Sequence, residues 1–167
     1  ASDVYKRQVL TNSMGSISRS SRNRGTLVST AASSSDGFRM ADNLSSTNCT
    51  VMVASRYNVG ATVNGRILAA DNNWLLGHWW TAPECFYTGN WVSTSSSTPT
   101  HQTWKIYTGV CNVQSNNFKF YMNGQLSNTA LFGGYGPSGL SLFKNIAFPG
   151  EYSAGTVGIV IVWDRLL

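Results

Sequence analysis

Charge is what this chain most lacks. Asp, Glu, Lys and Arg together make up 11% of 167 residues, against roughly a quarter in an average soluble domain. Helices carry their solvent faces on Glu, Lys and Arg, so the shortage excludes helical bundles and coiled coils. Acids are the scarcer sign, 7 against 12 bases, and the net charge of +5 comes from missing carboxylates rather than abundant cations. Lys6, Arg7, Arg19, Arg22 and Arg24 all fall before residue 25. The run from Ser18 to Arg24 reads as a solvated stretch, because phosphate binding needs a basic footprint gathered on one face; no nucleic-acid partner is expected. Nor does any apolar run approach the roughly 18 residues of a membrane span, since the longest, Val157–Trp163, has strand length. No membrane insertion is expected either.

In place of charge stand Ser, Thr, Asn and 16 Gly, with 42% hydrophobic residues to build a core. This is the chemistry of strands and turns, in a length that suits one domain. Residues 1–8 share no turn logic or period with the rest of the chain. Asp3–Gln8 resembles the in-frame translation of a transposase adapter used for sequencing libraries, so 1–8 are set aside as a non-native tail expected to bury little surface. Residues 9–24 form a polar basic segment, and the fold is expected over 25–167. Without an initiator Met, the chain is expected to be one domain of a larger one.

From Gly25 onward, short strands alternate with turns. Thr50–Tyr57 places Val51 and Val53 on one face and Met52 and Ala54 on the other, the pattern of a central strand. Asn64-Gly65 marks a hairpin turn, and Glu84–Ser93 and Gln102–Val110 read as strands joined by the polar loop around Pro99. Phe118, Phe120 and Met122 share one face, and Asn123-Gly124 ends that strand. Gly139–Phe143 is a further short strand. In the last, Val157, Ile159, Ile161 and Trp163 are expected on one face, opposite Gly158, Val160, Val162 and Asp164. Short strands at this spacing predict an all-β fold, an antiparallel two-sheet sandwich; no long repeat points to a propeller or solenoid.

Several of these phrases, taken in order, resemble a family. Phe120-Tyr121-Met122-Asn123-Gly124, Gly139-Leu140-Ser141-Leu142 and the closing Gly155–Leu167, with its Trp163-Asp164-Arg165-Leu166-Leu167 ending, are similar to laminin-G-like, concanavalin A-like lectin and glucanase jelly rolls. Thr50–Tyr57 and Arg66-Ile67-Leu68 sit where that family's early central strands stand. Gly158 departs from the pattern, which often has an acid there. The resemblance implies two curved antiparallel sheets and an extracellular or cell-surface binding role.

Catalysis is not expected. Retaining glycoside hydrolysis needs two carboxyls about 5–5.5 Å apart. The acids Asp3, Asp36, Asp42, Asp71, Glu84, Glu151 and Asp164 include no pair spaced i, i+2 or i, i+4 on one strand. His78 and His101 are the only histidines, and there is neither a nucleophile elbow nor a zinc-ligand cluster. No cofactor is expected; Asp71, beside Asn72 and Asn73, is a weak calcium candidate.

Binding is better served. Asp71–Trp80, followed by Phe86-Tyr87 and Trp91, is dense in indoles and amides, and sugars present flat C–H faces to indole rings and polar edges to amides. Asn73, His78, Trp79, Trp80, Tyr87 and Trp91 are the candidate carbohydrate-binding residues. Adjacent Trp79 and Trp80 cannot both point inward from one regular strand. The partner is expected to be a glycan or an extracellular-matrix or surface component. The alternative is a structural or adhesive module that assembles through strand edges. Cys85 and Cys111 flank the loop near Ser97, and a regular hairpin there sets Cys85 opposite about position 109, so a Cys85–Cys111 disulfide is expected, with Cys49 left as a buried thiol. Asn43 and Asn48 begin N-glycosylation patterns, which agree with an exterior location.

Overall fold

The computed structural model describes residues 10–14, 17–22, 25–30, 37–40, 47–58, 65–80, 82–94, 102–144, 148 and 150–167, and within them fourteen strands and no helix. The strands form two seven-stranded antiparallel sheets, as the alternation predicts. Sheet 1 runs β1 (Leu10–Met14), β4 (Gly37–Met40), β13 (Leu140–Leu142), β6 (Leu68–Ala70), β7 (Leu75–Trp79), β8 (Ala82–Tyr87), β9 (Trp91–Ser93). Sheet 2 runs β12 (Gln125–Leu131), β11 (Asn117–Met122), β10 (Lys105–Asn112), β5 (Asn48–Tyr57), β14 (Gly155–Trp163), β3 (Gly25–Thr30), β2 (Ile17–Arg22). The segment 9–24, set ahead of the domain by its composition, thus supplies an edge strand to each sheet. The tail 1–8 lies outside the described residues.

The core is an aromatic stack between the sheets. Phe86 of sheet 1 meets Phe120 of sheet 2 at 6.1 Å between ring centroids, Phe120 lies parallel to Tyr107 at 6.0 Å, and Trp74 meets Phe86 edge-on at 5.6 Å. All four are fully buried. Strand β5 is central, paired over eight residues to β10 and on its other side to β14. Val51 and Val53 fill its inner face, while Met52 and Ala54 are half-buried outside. On the side where β9 and β12 are edge strands, Asn128 Nδ2 donates to the Val92 carbonyl at 2.6 Å and ties one sheet to the other.

Two expectations change in the folded chain, and a third falls partly outside the described residues. In β14 the register slips at Gly158, between Val157 and Ile159. A bulge inserts one residue and reverses the alternation beyond it. Val157 therefore faces inward, but Val160 and Val162 follow it against the core, and Ile159 is exposed. Asn64 of the expected Asn64-Gly65 turn lies outside the described residues; β5 and β6 on either side belong to different sheets, and the Gly65 N–H donates to the Tyr152 carbonyl at 2.9 Å. Finally, β8 and β9 pair with each other in sheet 1 while β10 belongs to sheet 2. The polar loop around Pro99 lies outside the described residues, but the strands on either side of it do not pair, and the expected Cys85–Cys111 bond falls with that pairing. The two cysteines lie on opposite sheets, and no S–S bond joins any of the three.

Candidate functional site

The exposed face of sheet 1 gathers aromatic side chains around one ion pair. The backbone at Gly65 passes so close to residues 151 and 152 that a Cβ there would stand 2.4 Å from the Tyr152 carbonyl oxygen. Only glycine permits that approach, and it sets the next residue, Arg66, against Glu151. Arg66 Nε donates to Glu151 Oε2, and the guanidinium lies over the Phe148 ring, 5.0 Å from its centroid. Arg66 is buried, and its Nη1 has no hydrogen-bond partner among the described residues. The same Glu151 oxygen accepts from Trp79 Nε1 at 3.2 Å. Carboxylate, guanidinium and indole therefore form one charged, hydrogen-bonded floor.

Aromatic rings extend from it. Trp79 leans on Trp91 with 5.2 Å between centroids, and Tyr87 meets Trp91 edge-on at 4.9 Å. All three are half-buried. Strand geometry accounts for the grouping: Leu76 and Phe86 are an inward-facing pair, so Tyr87 points outward, and Tyr87 lies opposite Trp91 in the β8–β9 ladder. A bulge at Glu84, whose φ is +72°, shifts the β7–β8 register. Beyond it, His78 faces in and Trp79 faces out. Tyr135 stands near the same place: burial raises its hydroxyl's pKa, Tyr87 adds to the rise, and Arg66 opposes it.

Trp80 opens the two-residue connection from β7 to β8. It is 58% exposed, with φ at +52°. Neither of the adjacent tryptophans is a core residue, which goes further than the alternation argument required. A bulky side chain is uncommon in the left-handed region, where Gly, Asn and Asp are the usual hairpin residues.

Two candidates sit elsewhere. His78 is a core residue, 1% exposed. Its Nδ1 lies 3.3 Å from Ser55 Oγ, and its ring packs edge-on against Tyr57 and Tyr107. Enclosed between the sheets, it cannot meet a dissolved ligand, nor can the Ser55–His78 contact serve catalysis there. Asn73 precedes β7, at the opposite end from Trp80, in a turn closed by the Ala70 N–H donating to the Trp74 carbonyl. Its φ of +62° suits asparagine, and its place is explained by the turn.

The calcium candidate is engaged by protein. Asp71 Oδ2 accepts from Arg39 Nη2 at 2.5 Å, and the Asn72 side chain bonds Gly136 and Ser138. No group of three or more His, Cys, Asp or Glu that could hold a metal occurs among the described residues. Of the two glycosylation patterns, Asn43 lies outside the described residues. Asn48 begins β5, its Nδ2 donating to Gln114 Oε1 at 3.0 Å, and Thr50 of the same pattern is buried.

Arg66 and Glu151 were missed in the sequence. Their signal was slight: a lone cation ahead of the apolar pair Ile67-Leu68, and one of seven acids following Pro149-Gly150. Nothing local joins positions so far apart in the chain.

No family model matches the chain, and no curated protein matches it by sequence. Solved structures do match. Domain 4 of AbnA, a GH43 extracellular arabinanase from Geobacillus stearothermophilus solved in complex with arabinotriose, is similar with a TM-score of 0.61 at 16% identity, over 99% of this chain and 85% of that one. The carbohydrate binding module CBM66 from Bacillus subtilis is similar at 0.53 and 11% identity, over 95% of this chain and 96% of that one. Domains LG4-5 of the mouse laminin alpha1 chain give 0.52 and 14% over 78% of this chain and 39% of theirs. The chain shares their β-sandwich fold. At such identities the likeness is one of architecture, and a ligand has to be argued from this chain's own residues.

Proposed function

We propose that this protein is a non-catalytic carbohydrate-recognition module of a larger extracellular protein, and that a sugar lies against Trp79, Trp80, Tyr87 and Trp91. The observation that carries the reading is the Trp79–Trp91–Tyr87 cluster, left half-buried on the outer face of a sheet and anchored to Glu151. Indole faces are electron-rich and match the C–H face of a pyranose or furanose ring, while Glu151 and the tyrosine hydroxyls offer polar atoms to its hydroxyl edge. Mostly apolar walls with a few placed polar groups are the usual make-up of a small-ligand site. Trp80 supports the same reading. A strained, exposed aromatic costs stability of order 1 kcal/mol, and contact with a ligand gives that cost a purpose. The carboxylates support binding over hydrolysis: Asp71, Glu84 and Glu151 each already have a cationic partner. Of the similar structures, one is a carbohydrate binding module and another is an arabinanase domain solved with arabinotriose, which makes arabino-oligosaccharides the first probes.

A glycan array followed by calorimetric titration tests the reading. Trp91→Ala is expected to weaken binding of the best hit about thirtyfold, roughly the 2 kcal/mol of an aromatic anchor. Trp80→Asn is expected to weaken binding while raising unfolding stability by about 1 kcal/mol, since it relieves the left-handed tryptophan. An array without hits, or wild-type affinity in Trp91→Ala, rejects the site. The second reading, assembly through an edge, is favoured by β12. This seven-residue edge strand, Gln125–Leu131, carries no charge or proline and exposes Leu126 and Leu131. Natural edges are usually blunted by such residues. Concentration-dependent association lost on Ser127→Lys, in a protein that binds no sugar, is the result that reading requires.

A further inference from the structure

We infer that Cys49 and Cys111 form a disulfide bond when the chain folds in the presence of a small-molecule disulfide such as oxidised glutathione. The two residues are directly opposite each other in the β5–β10 ladder, within an unbroken register from Lys105↔Ser55 to Asn112↔Asn48. Opposed Cα atoms in an antiparallel pair stand about 4.5 or 5.5 Å apart. Both values lie inside the disulfide range of roughly 4.4–6.8 Å, so either kind of ladder position admits the bond without moving the strands. Both side chains belong to the core between the sheets and therefore share the inner face. The sulfurs are near neighbours: the Cys111 thiol is held protonated chiefly by burial and then by its hydrogen bond with Cys49.

Cys85 lies across the sandwich, on β8, near Tyr57 and Tyr107. With three cysteines one must be left over, and the register makes it Cys85 rather than Cys49. The chemistry is two successive exchanges. The thiolate of one cysteine attacks oxidised glutathione, forming a mixed disulfide and releasing one glutathione thiolate. The second cysteine's thiolate then attacks the protein sulfur of that mixed disulfide and releases the other glutathione. Two protons leave the cysteines, one S–S bond is lost from glutathione and one is gained by the protein. Exchange needs a thiolate, and the finished core keeps both groups buried and Cys111 protonated. The bond therefore forms before β5 and β10 are sealed under sheet 1, and is then shielded from reductants. It closes residues 50–110, which include all of β6 to β9, into one covalent loop.

The test is oxidative refolding of the full chain in a glutathione redox buffer, followed by alkylation under denaturing conditions and peptide mapping without reduction. The expected result is a linked Cys49–Cys111 peptide pair with Cys85 alkylated, and a thermal midpoint roughly 10 °C above that of the reduced protein. The Cys85→Ser variant, which removes crosslinking through the third thiol, is expected to give the same linked pair. A link that includes Cys85, or alkylation of both Cys49 and Cys111 in the refolded variant, overturns the inference. Neither result depends on whether the protein binds sugar.

Discussion

Replacing Glu151 by Gln is expected to lower the unfolding free energy by roughly 3 kcal/mol, a large effect for one oxygen-to-nitrogen exchange. The Arg66 side chain is only 5% exposed and that of Glu151 22%. Removing the carboxylate's charge strands a buried guanidinium, and breaking a buried pair from one side costs about 3–5 kcal/mol; the low end applies because Glu151 keeps some contact with water. The Phe148 ring remains as a weak partner for the cation. An apolar double variant, Arg66→Met with Glu151→Leu, is expected to recover most of the loss, because no charge is then left in the interior. Urea denaturation at constant m-value measures all three. Wild-type stability in Glu151→Gln would mean that the ion pair is screened by solvent and does not organise the floor beneath Trp79.

Gly77→Ala is expected to be equally damaging for a different reason. Gly77 has φ at +101°, where L-residues are strained, and an added Cβ would lie 2.7 Å from Cδ2 of Tyr107. That ring cannot yield, since it is fully buried, parallel to Phe120 and edge-on to His78. Backbone strain of about 1–2 kcal/mol and overpacking of about 1–3 kcal/mol together give a loss of roughly 3–4 kcal/mol. Gly124→Ala is the control. Its φ is +82°, but nothing lies within 4 Å of the added atom, so only the backbone cost of about 1–2 kcal/mol is expected. Equal losses at the two positions would show that crowding against Tyr107 contributes nothing.

The two variants also mark where sequence reasoning reached and where it stopped. The Asn123-Gly124 turn was legible because a two-residue hairpin loop is written in adjacent positions, and both residues have positive φ as that turn demands. Gly77 carried no such mark. Its need for glycine comes from Tyr107, thirty positions away in sequence and on the opposite sheet. Among the binding candidates, Trp79, Tyr87 and Trp91 do come together, but His78 entered the core. The Glu84 bulge, invisible in a pattern read strand by strand, shifts the pairing of β8 with β7, while the regular alternation of β7 itself turns His78 inward with Leu76 and Trp79 outward.

The composition and the alternation of side chains determined, without any structure, that this is a sandwich of short antiparallel strands with a central β5 and a turn at Asn123-Gly124 that ends β11. Those properties arise between neighbours along the chain, where period two and turn chemistry operate. Which strands became partners was decided only when the two sheets closed over their apolar faces. That closure set Cys49 rather than Cys85 opposite Cys111, placed β9 and β10 in different sheets, reversed β14 at Gly158 and brought Arg66 beside Glu151. The physical reason is that burial between layers rewards contacts between distant segments, and a single inserted residue exchanges the inner and outer faces of everything beyond it.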